Sequence, residues 1–133
     1  MKNLVLSLIL TLAFGSFLTA EAQTKQRVNI LVGKQKQVSR SRLTIKFVSL
    51  IEDSRCPEGT NCIHAGNARI QIEVSKRGGE SETFELNTNL GPKGDTFRGY
   101  AINLVSLAPT PKDNIRINRK GYTATFVVSK LTR

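Results

Sequence analysis

The run Glu52-Asp53-Ser54-Arg55-Cys56-Pro57-Glu58-Gly59-Thr60-Asn61-Cys62-Ile63-His64-Ala65-Gly66-Asn67-Ala68 separates two stretches of alternating sequence. It holds both cysteines, the single histidine, one of the four prolines and two of the ten glycines of the 133-residue chain. Asp53 and Ser54 are residues whose short side chains cap turns by bonding to backbone groups. Cys56-Pro57-Glu58-Gly59 reads as a reverse turn, with Pro presetting φ at the second position and Gly at the fourth. Ala65-Gly66-Asn67 supplies a second turn. If the two thiols are joined, the small ring freezes the loop.

Before this run, Leu43, Ile45 and Phe47 alternate with Thr44, Lys46 and Val48, the period-two pattern of a half-buried strand. The alternation slips by one near Ser49-Leu50-Ile51, which predicts a bulge just before the loop. After the run, Ala68, Ile70, Ile72 and Val74 alternate with Arg69, Gln71, Glu73 and Ser75. Lys76-Arg77-Gly78-Gly79-Glu80 then reads as a hairpin turn, its paired glycines supplying positive φ, with Thr83 to Asn87 as the return strand.

Further out, Val28 to Val32 reads as a short strand after a loose start at Gln23 to Arg27. Lys34 to Ser39 reads as an edge strand guarded by lysines. Asn87 to Gly99 is expected to be irregular. Tyr100 to Leu107 resumes strand character and ends before Pro109 and Pro111, which cannot donate to a ladder. Ile115 to Ile117 reads as a short strand, Asn118 to Gly121 as a turn. Tyr122 to Lys130 reads as the last strand, with Tyr122, Ala124, Phe126 and Val128 inward. Leu43–Leu50 and Tyr100–Leu107 agree at four of eight positions. A weak internal repeat would explain this, but two core strands of one pattern would look alike anyway, so coincidence is the favoured reading. No window of eleven or more residues beyond residue 22 shows helical periodicity. The expectation is an all-β domain: a small antiparallel β-sandwich or partly open barrel of about seven strands, with one intrachain disulfide.

Residues 1–22 read as a signal peptide: Lys2, an apolar run from Leu4 to Leu18, and the small-x-small site Ala20-Glu21-Ala22. The run is short for a membrane span, and no stop-transfer charges follow it. Residues 23–133, about 110 in number, suffice for a single β-domain with one core. Cleavage near Ala22 would place that domain in the periplasm or outside the cell. Disulfides persist there, so the two cysteines are most simply one bridge, Cys56–Cys62.

The loop phrases Asp53-Ser54-Arg55-Cys56-Pro57, Cys62-Ile63 and Ala65-Gly66-Asn67-Ala68 resemble the signature of an uncharacterised family of small exported bacterial proteins. Many of its members read D-S-R-C-P, a few residues, C-I-W-A-G and then a strand. Leu104-Val105-Ser106-Leu107-Ala108-Pro109 and Tyr122-Thr123-Ala124-Thr125-Phe126 are similar to later phrases of the same group, so the likeness spans most of residues 23–133. His64 stands where the family carries an aromatic, often Trp, so no family role passes to it. The resemblance implies architecture and compartment and brings no activity with it.

The formal net charge is +10, and Lys2 and Glu21 cancel, so removal of residues 1–22 leaves it unchanged. Seven basic residues and no acid lie between Lys25 and Lys46, whereas seven acids lie between Glu52 and Glu85. A basic exported protein is drawn to anionic lipid, acidic glycan or nucleic acid, although high pI also simply keeps a domain soluble. Nucleic acid is not expected: there is no Trp, and most aromatic rings fall at core-facing positions, whereas stacking needs exposed rings. What remains is a basic surface, for which Lys34, Lys36, Arg40, Arg42, Arg116, Arg119 and Lys120 are the candidate anion-binding residues.

Two other readings stand beside it. The loop from Arg55 to His64, with Asp53, Arg55, Glu58 and His64 as candidate contacts, could be presented to a protein partner, as in an inhibitor, because a ring lowers the ordering cost of binding. Arg55, flanked by Asp53 and Glu58, could instead simply pair locally and contribute little if exposed. Cys56, Cys62, His64 and Asp53 could ligate a metal in an enzyme, but structural zinc sites favour tighter Cys spacing and four N or S ligands. A thiol nucleophile would have to stay reduced in an oxidising compartment. No G-x-S-x-G, phosphate-binding glycine loop or H-E-x-x-H occurs. Glu52, Asp53 and Glu58 could supply paired carboxylates, yet so small a domain leaves little room for a cleft. A non-catalytic domain without metal or cofactor is therefore expected.

Overall fold

In the computed structural model, which describes residues 23–132, every longer stretch with period-two alternation is a strand. The strands are β1 (Lys25–Leu31), β2 (Gln35–Val38), β3 (Leu43–Asp53), β4 (Ala68–Lys76), β5 (Ser81–Asn87), β6 (Gly94–Phe97), β7 (Tyr100–Ala108) and β8 (Thr123–Lys130). A single 3-10 turn, Arg119–Gly121, precedes β8. The eight strands form two antiparallel four-stranded sheets, β1-β8-β7-β6 and β2-β3-β4-β5, that do not close into a barrel. The proposed signal segment lies outside the described residues. Among the described residues, no helix is long and apolar enough to cross a membrane.

The alternation buries the expected faces. Leu43, Ile45 and Phe47 of β3, Ile70, Ile72 and Val74 of β4, and Ala124, Phe126 and Val128 of β8 are all buried. They meet Ile102 and Leu104 of β7 in one core between the sheets. β1 lies against β2 and β5 against β6, so the sheets stack edge over edge. The chain changes sheet within two residues. Val32 N donates to Tyr122 O (2.8 Å), and Gly33 N donates to Phe47 O (2.7 Å). Gly33 makes that corner at φ +79, a conformation that costs other L residues about 1–2 kcal/mol.

The bulge expected near Ser49 is present, with register shifts between Phe47 and Ser49 and again between Leu50 and Glu52. β7 shifts register between Leu104 and Ser106. Val48 and Val105 are thus left out of their ladders at equivalent positions of the phrases Leu43–Leu50 and Tyr100–Leu107. The correspondence extends to the neighbours. Leu43 to Lys46 pair with β2 as Tyr100 to Asn103 pair with β6. Leu43 to Phe47 pair with the end of β4 as Tyr100 to Leu104 pair with the end of β8. Read as β2-β3-β4-β5 and β6-β7-β8-β1, the sheets share one spatial order, although β8 and β1 are not consecutive in the chain. The likeness read as coincidence marks the same bulged strand in each.

Three local expectations change. Gln23 to Arg27 is not a loose start, because β1 pairs with β8 from Lys25↔Ser129 onward through a backbone ladder indifferent to the charged side chains. The connection from Asn87 to Gly99 contains β6, whose single large apolar residue, Phe97, is buried. Four residues with one apolar side chain are too few to display a period. Ile115 to Ile117 is no strand: Ile115 makes only an isolated bridge to Lys112 and stands 62% exposed.

Candidate functional site

The site grows from the base of the loop between β3 and β4. Beyond Asp53 the ladder continues through Ser54 N to Asn67 O (2.7 Å) and Cys56 N to Ala65 O (2.8 Å). Cys56 and Cys62 are bonded with Cα atoms 5.9 Å apart, closing the ring. Inside it, Thr60 Oγ1 (2.8 Å) and Thr60 N (3.4 Å) both donate to Pro57 O, so the turn spans Pro57 to Thr60 with Gly59 third at φ +85, one residue beyond the expected Cys56–Gly59 turn. Asn67, 6% exposed, clamps the neighbouring loop. Its Oδ1 accepts from Asn89 N (3.0 Å) and Leu90 N (3.1 Å), and its Nδ2 donates to Asn87 Oδ1 (2.8 Å).

Asp53 and Arg55 point into the molecule. Arg55 Nε and Nη2 donate to the two Asp53 carboxylate oxygens (2.8 and 2.7 Å), a fork-to-fork pair. Arg55 Nη1 donates to Leu107 O (2.6 Å), and Nη2 also to Pro109 O (2.9 Å). Tyr122 Oη donates to Asp53 Oδ2 (2.9 Å). With side chains 14% and 9% exposed, this pair is no surface ornament. It ties the loop to the opposite sheet. Burial alone would raise the Asp53 pKa, but the hydrogen bonds from Arg55 and Tyr122 and the Arg55 charge outweigh it and hold the carboxyl below its ordinary value. Burial, followed by the bond to Asp53 and its negative charge, pushes the Tyr122 phenol above its ordinary value.

On the other flank, Glu58 N donates to Pro111 O (2.8 Å), and Glu58 bridges to Lys112. Between this contact and the end of β3 lies a cavity of about 510 Å³. Arg55, Lys112, Arg116 and Arg119 contribute to its walls, with Pro57, Ile115 and Ile117 as apolar surface and Asp53 as the one acid. Asp53 is already matched by Arg55 and Tyr122, so Lys112, Arg116 and Arg119 are left without a carboxylate in that wall. Arg119 also donates from Nη2 to Leu50 O (2.8 Å), which fixes its side chain at the rim.

No family model, curated protein or solved structure matches the chain.

The seven basic residues expected to form one face are therefore judged by geometry, and they do not. Arg116 and Arg119 line the cavity, whereas Lys120 lies outside its walls, in the 3-10 turn capped by Asn118. Arg40 and Arg42 precede β3, at its far end from Leu50, and seven strand residues span about 20 Å. Lys36 pairs with Ile45, which puts it on the core-facing side of edge strand β2, a placement that discourages further strand pairing. Lys34, also exposed, receives Phe47 N at its carbonyl beside the same edge. Arg40 instead lines a second cavity of about 810 Å³ with Arg98, Tyr100 and Lys130, whose walls also include Gln23, Thr24, Leu131 and Thr132 at the ends of the described chain. Arg98 there is ion-paired with Glu80.

Of the loop residues, Glu58 and His64 are exposed, while Asp53 and Arg55 are scaffold rather than contact surface. Arg55 does pair locally, but with Asp53 rather than Glu58, and in a half-buried setting. The cysteines hold no thiol, and no group of three His, Cys, Asp or Glu suited to a metal occurs among the described residues. Lys112, Tyr122, Asn67 and Leu90 were not singled out from the sequence as site residues. Only Asn67 carried a signal, as part of the Ala65-Gly66-Asn67 turn.

Replacing both cysteines with Ser is expected to lower stability by about 2 kcal/mol, the chain entropy released from so small a ring. A fall of about 10 °C in thermal midpoint would register it. An unchanged midpoint would mean that the hydrogen-bonded loop base alone holds the ring.

Proposed function

We propose that this chain is an exported, non-catalytic β-domain that binds an anionic component of the cell envelope or extracellular space. The observation that carries the reading is the cavity beside the disulfide loop, where Lys112, Arg116 and Arg119 converge while its one acid, Asp53, is matched from within. An anionic group entering there meets cations that need not be stripped from a partner first. Export is supported by the Cys56–Cys62 bond, which suits an oxidising compartment. The non-catalytic reading rests on the same groups: the cysteines are joined, and Asp53 is held by Arg55 and Tyr122. Membership of the exported bacterial family belongs to the proposal too. It is supported by the D-S-R-C-P phrase, whose Asp53, Ser54, Arg55 and Cys56 each make a bond that holds the loop base.

The test is saturable binding of residues 23–133 to acidic polysaccharides and anionic liposomes at low salt and at about 0.15 M salt. The double change Lys112→Ala and Arg116→Ala is expected to weaken binding at least about tenfold, since each cation near an anionic surface is worth about 1 kcal/mol. Arg40→Ala with Arg42→Ala, at the other end of β3, is expected to change it little. Equal losses from both pairs would reduce the interaction to net charge, and no saturable binding to either ligand would remove the reading.

A further inference from the structure

Ile63, Leu90 and Ile115 are the three most exposed large apolar side chains among the described residues, at 95%, 63% and 62%. They are far apart in sequence, yet all sit at the same end of the sandwich. Ile63 is at the tip of the disulfide loop, one residue past Cys62. Leu90 is held on one flank, its N bonded to Asn67 Oδ1 (3.1 Å) and its neighbour Asn89 Nδ2 bonded to Gly66 O (3.1 Å). Ile115 is on the other flank, its N bonded to Lys112 O (3.2 Å), where Lys112 bridges to Glu58. The loops that carry them are pinned by the ring, by Asn67 and by the Arg55 contacts to Leu107 O and Pro109 O. Single exposed apolar side chains are ordinary on a protein surface, but three gathered on pinned loops at one end, among cations unpaired within the described residues, set this end apart.

We infer that this end of the domain docks onto an anionic lipid surface, with Ile63, Leu90 and Ile115 entering the headgroup boundary and Lys112, Arg116, Arg119 and Lys120 meeting lipid phosphates. The inference rests on the anion-binding reading and names its ligand. Charge is the first argument. In segments 53–67, 88–91 and 109–121 the exposed ionised residues are those four cations against Glu58 and Asp113. The one other acid there, Asp53, and the one other arginine, Arg55, neutralise each other inside. The second argument is the form of the apolar surface. The tips are branched aliphatics on three separate loops, with no aromatic among them and no groove joining them. The core of a protein interface is enriched in Tyr, Trp, Met and Arg and demands a matching surface. A lipid boundary accepts isolated aliphatic tips of any spacing and adds electrostatic attraction for nearby cations.

The chain has no Trp, so Ile63→Trp places a single indole at the proposed contact. The protein of residues 23–133, within which all described structure falls, is titrated with three probes at about 0.15 M salt. These are phosphatidylglycerol–phosphatidylcholine vesicles, pure phosphatidylcholine vesicles, and dextran sulfate as a soluble polyanion. The expected result is a blue shift of indole emission with the anionic vesicles alone. In sedimentation with the same vesicles, the triple change Ile63→Ser, Leu90→Ser and Ile115→Ser is expected to weaken binding about a hundredfold. Its affinity for dextran sulfate should stay as it was. Anionic vesicles that bind without an indole shift, or that bind the triple variant as well as the parent, would overturn docking through the tips. Dextran sulfate binding without vesicle binding would overturn the lipid assignment in favour of a glycan or acidic protein, leaving the anion-binding reading in place. Binding to none of the probes would end both.

Discussion

Asp53→Ala is expected to lower the stability of the domain by about 3 kcal/mol, through loss of one partner of a half-buried ion pair together with the acceptor of the buried Tyr122 hydroxyl. The change leaves Arg55, 14% exposed at its side chain, with two carbonyl bonds but no countercharge. It also leaves the Tyr122 hydroxyl without its acceptor. In urea the unfolding midpoint should fall by about 1.5 M, taking a slope of about 2 kcal/mol/M. Glu85→Ala is the contrast. Glu85 meets Arg69 at 3.5 Å with both side chains well exposed, and such pairs contribute under about 1 kcal/mol. Equal losses from the two changes would mean that the Asp53–Arg55 pair is solvated and does not tie the sheets.

The same network sets an acid limit. The Asp53 carboxyl titrates below its unfolded value in the folded protein. Its contribution is therefore fully present above the unfolded pKa of about 3.9 and is lost as pH falls through the lower folded value. Tyr122 has the opposite sign. Its folded pKa is raised, so its contribution is present below about pH 10 and is lost as pH climbs through the higher folded value. A urea midpoint followed from neutral pH downward should thus decline in the wild type below about pH 4, and less so in Asp53→Ala. Parallel acid arms in the two proteins would show that other carboxylates govern acid unfolding.

Gly66→Ala is expected to destabilise by about 3 kcal/mol or more, from two causes that a second variant separates. Gly66 has φ +71, which costs an L side chain about 1–2 kcal/mol. Its added Cβ would also overlap Ser54 O and lie 2.8 Å from Ser54 C and 2.9 Å from Arg55 Cα. These are all backbone atoms and cannot rotate aside. The two strands of the loop base would have to part, weakening the bonds from Ser54 N and Ser54 Oγ to Asn67 O. Gly59 has φ +85, and a methyl group added there would meet nothing within 4 Å, so Gly59→Ala should show the conformational cost alone. Equal midpoints for the two alanine variants would mean that the loop base yields to the methyl group without loss. Because Asn89 Nδ2 bonds Gly66 O, Gly66→Ala should also loosen the loop that carries Leu90.

The residues that made the fold legible are those whose neighbours in sequence decide their fate. Leu43, Ile45 and Phe47, or Ala68, Ile70, Ile72 and Val74, alternate because a pleated strand sends successive side chains to opposite faces. One face of each had to be buried in a domain this size. The slip at Ser49 was visible for the same reason, as a break in period. β6 was not visible, since Gly94 and Asp95 carry turn chemistry and Phe97 alone cannot mark a period. The basic residues misled in a different way. Their clustering between Lys25 and Lys46 is real in sequence, but antiparallel strands carry it from one end of the sandwich to the other.

The candidate site was half legible. Arg116 and Arg119 stood out by charge, and Asp53 and Arg55 by their place beside a cysteine. Which of them turn inward depended on partners far along the chain. Tyr122 is 69 residues from Asp53, and Leu107 O is 52 residues from the Arg55 guanidinium that binds it. Sequence alone determined the strands with sustained alternation, the small ring and the overall basic charge, because backbone preference and periodicity are local properties. Only the tertiary structure decided that Arg55 is neutralised inside, that Lys112, Arg116 and Arg119 are not, and that Ile63, Leu90 and Ile115 share one exposed end. Those outcomes follow from how two sheets stack and which loops then meet, and no local pattern encodes a meeting between loops so far apart.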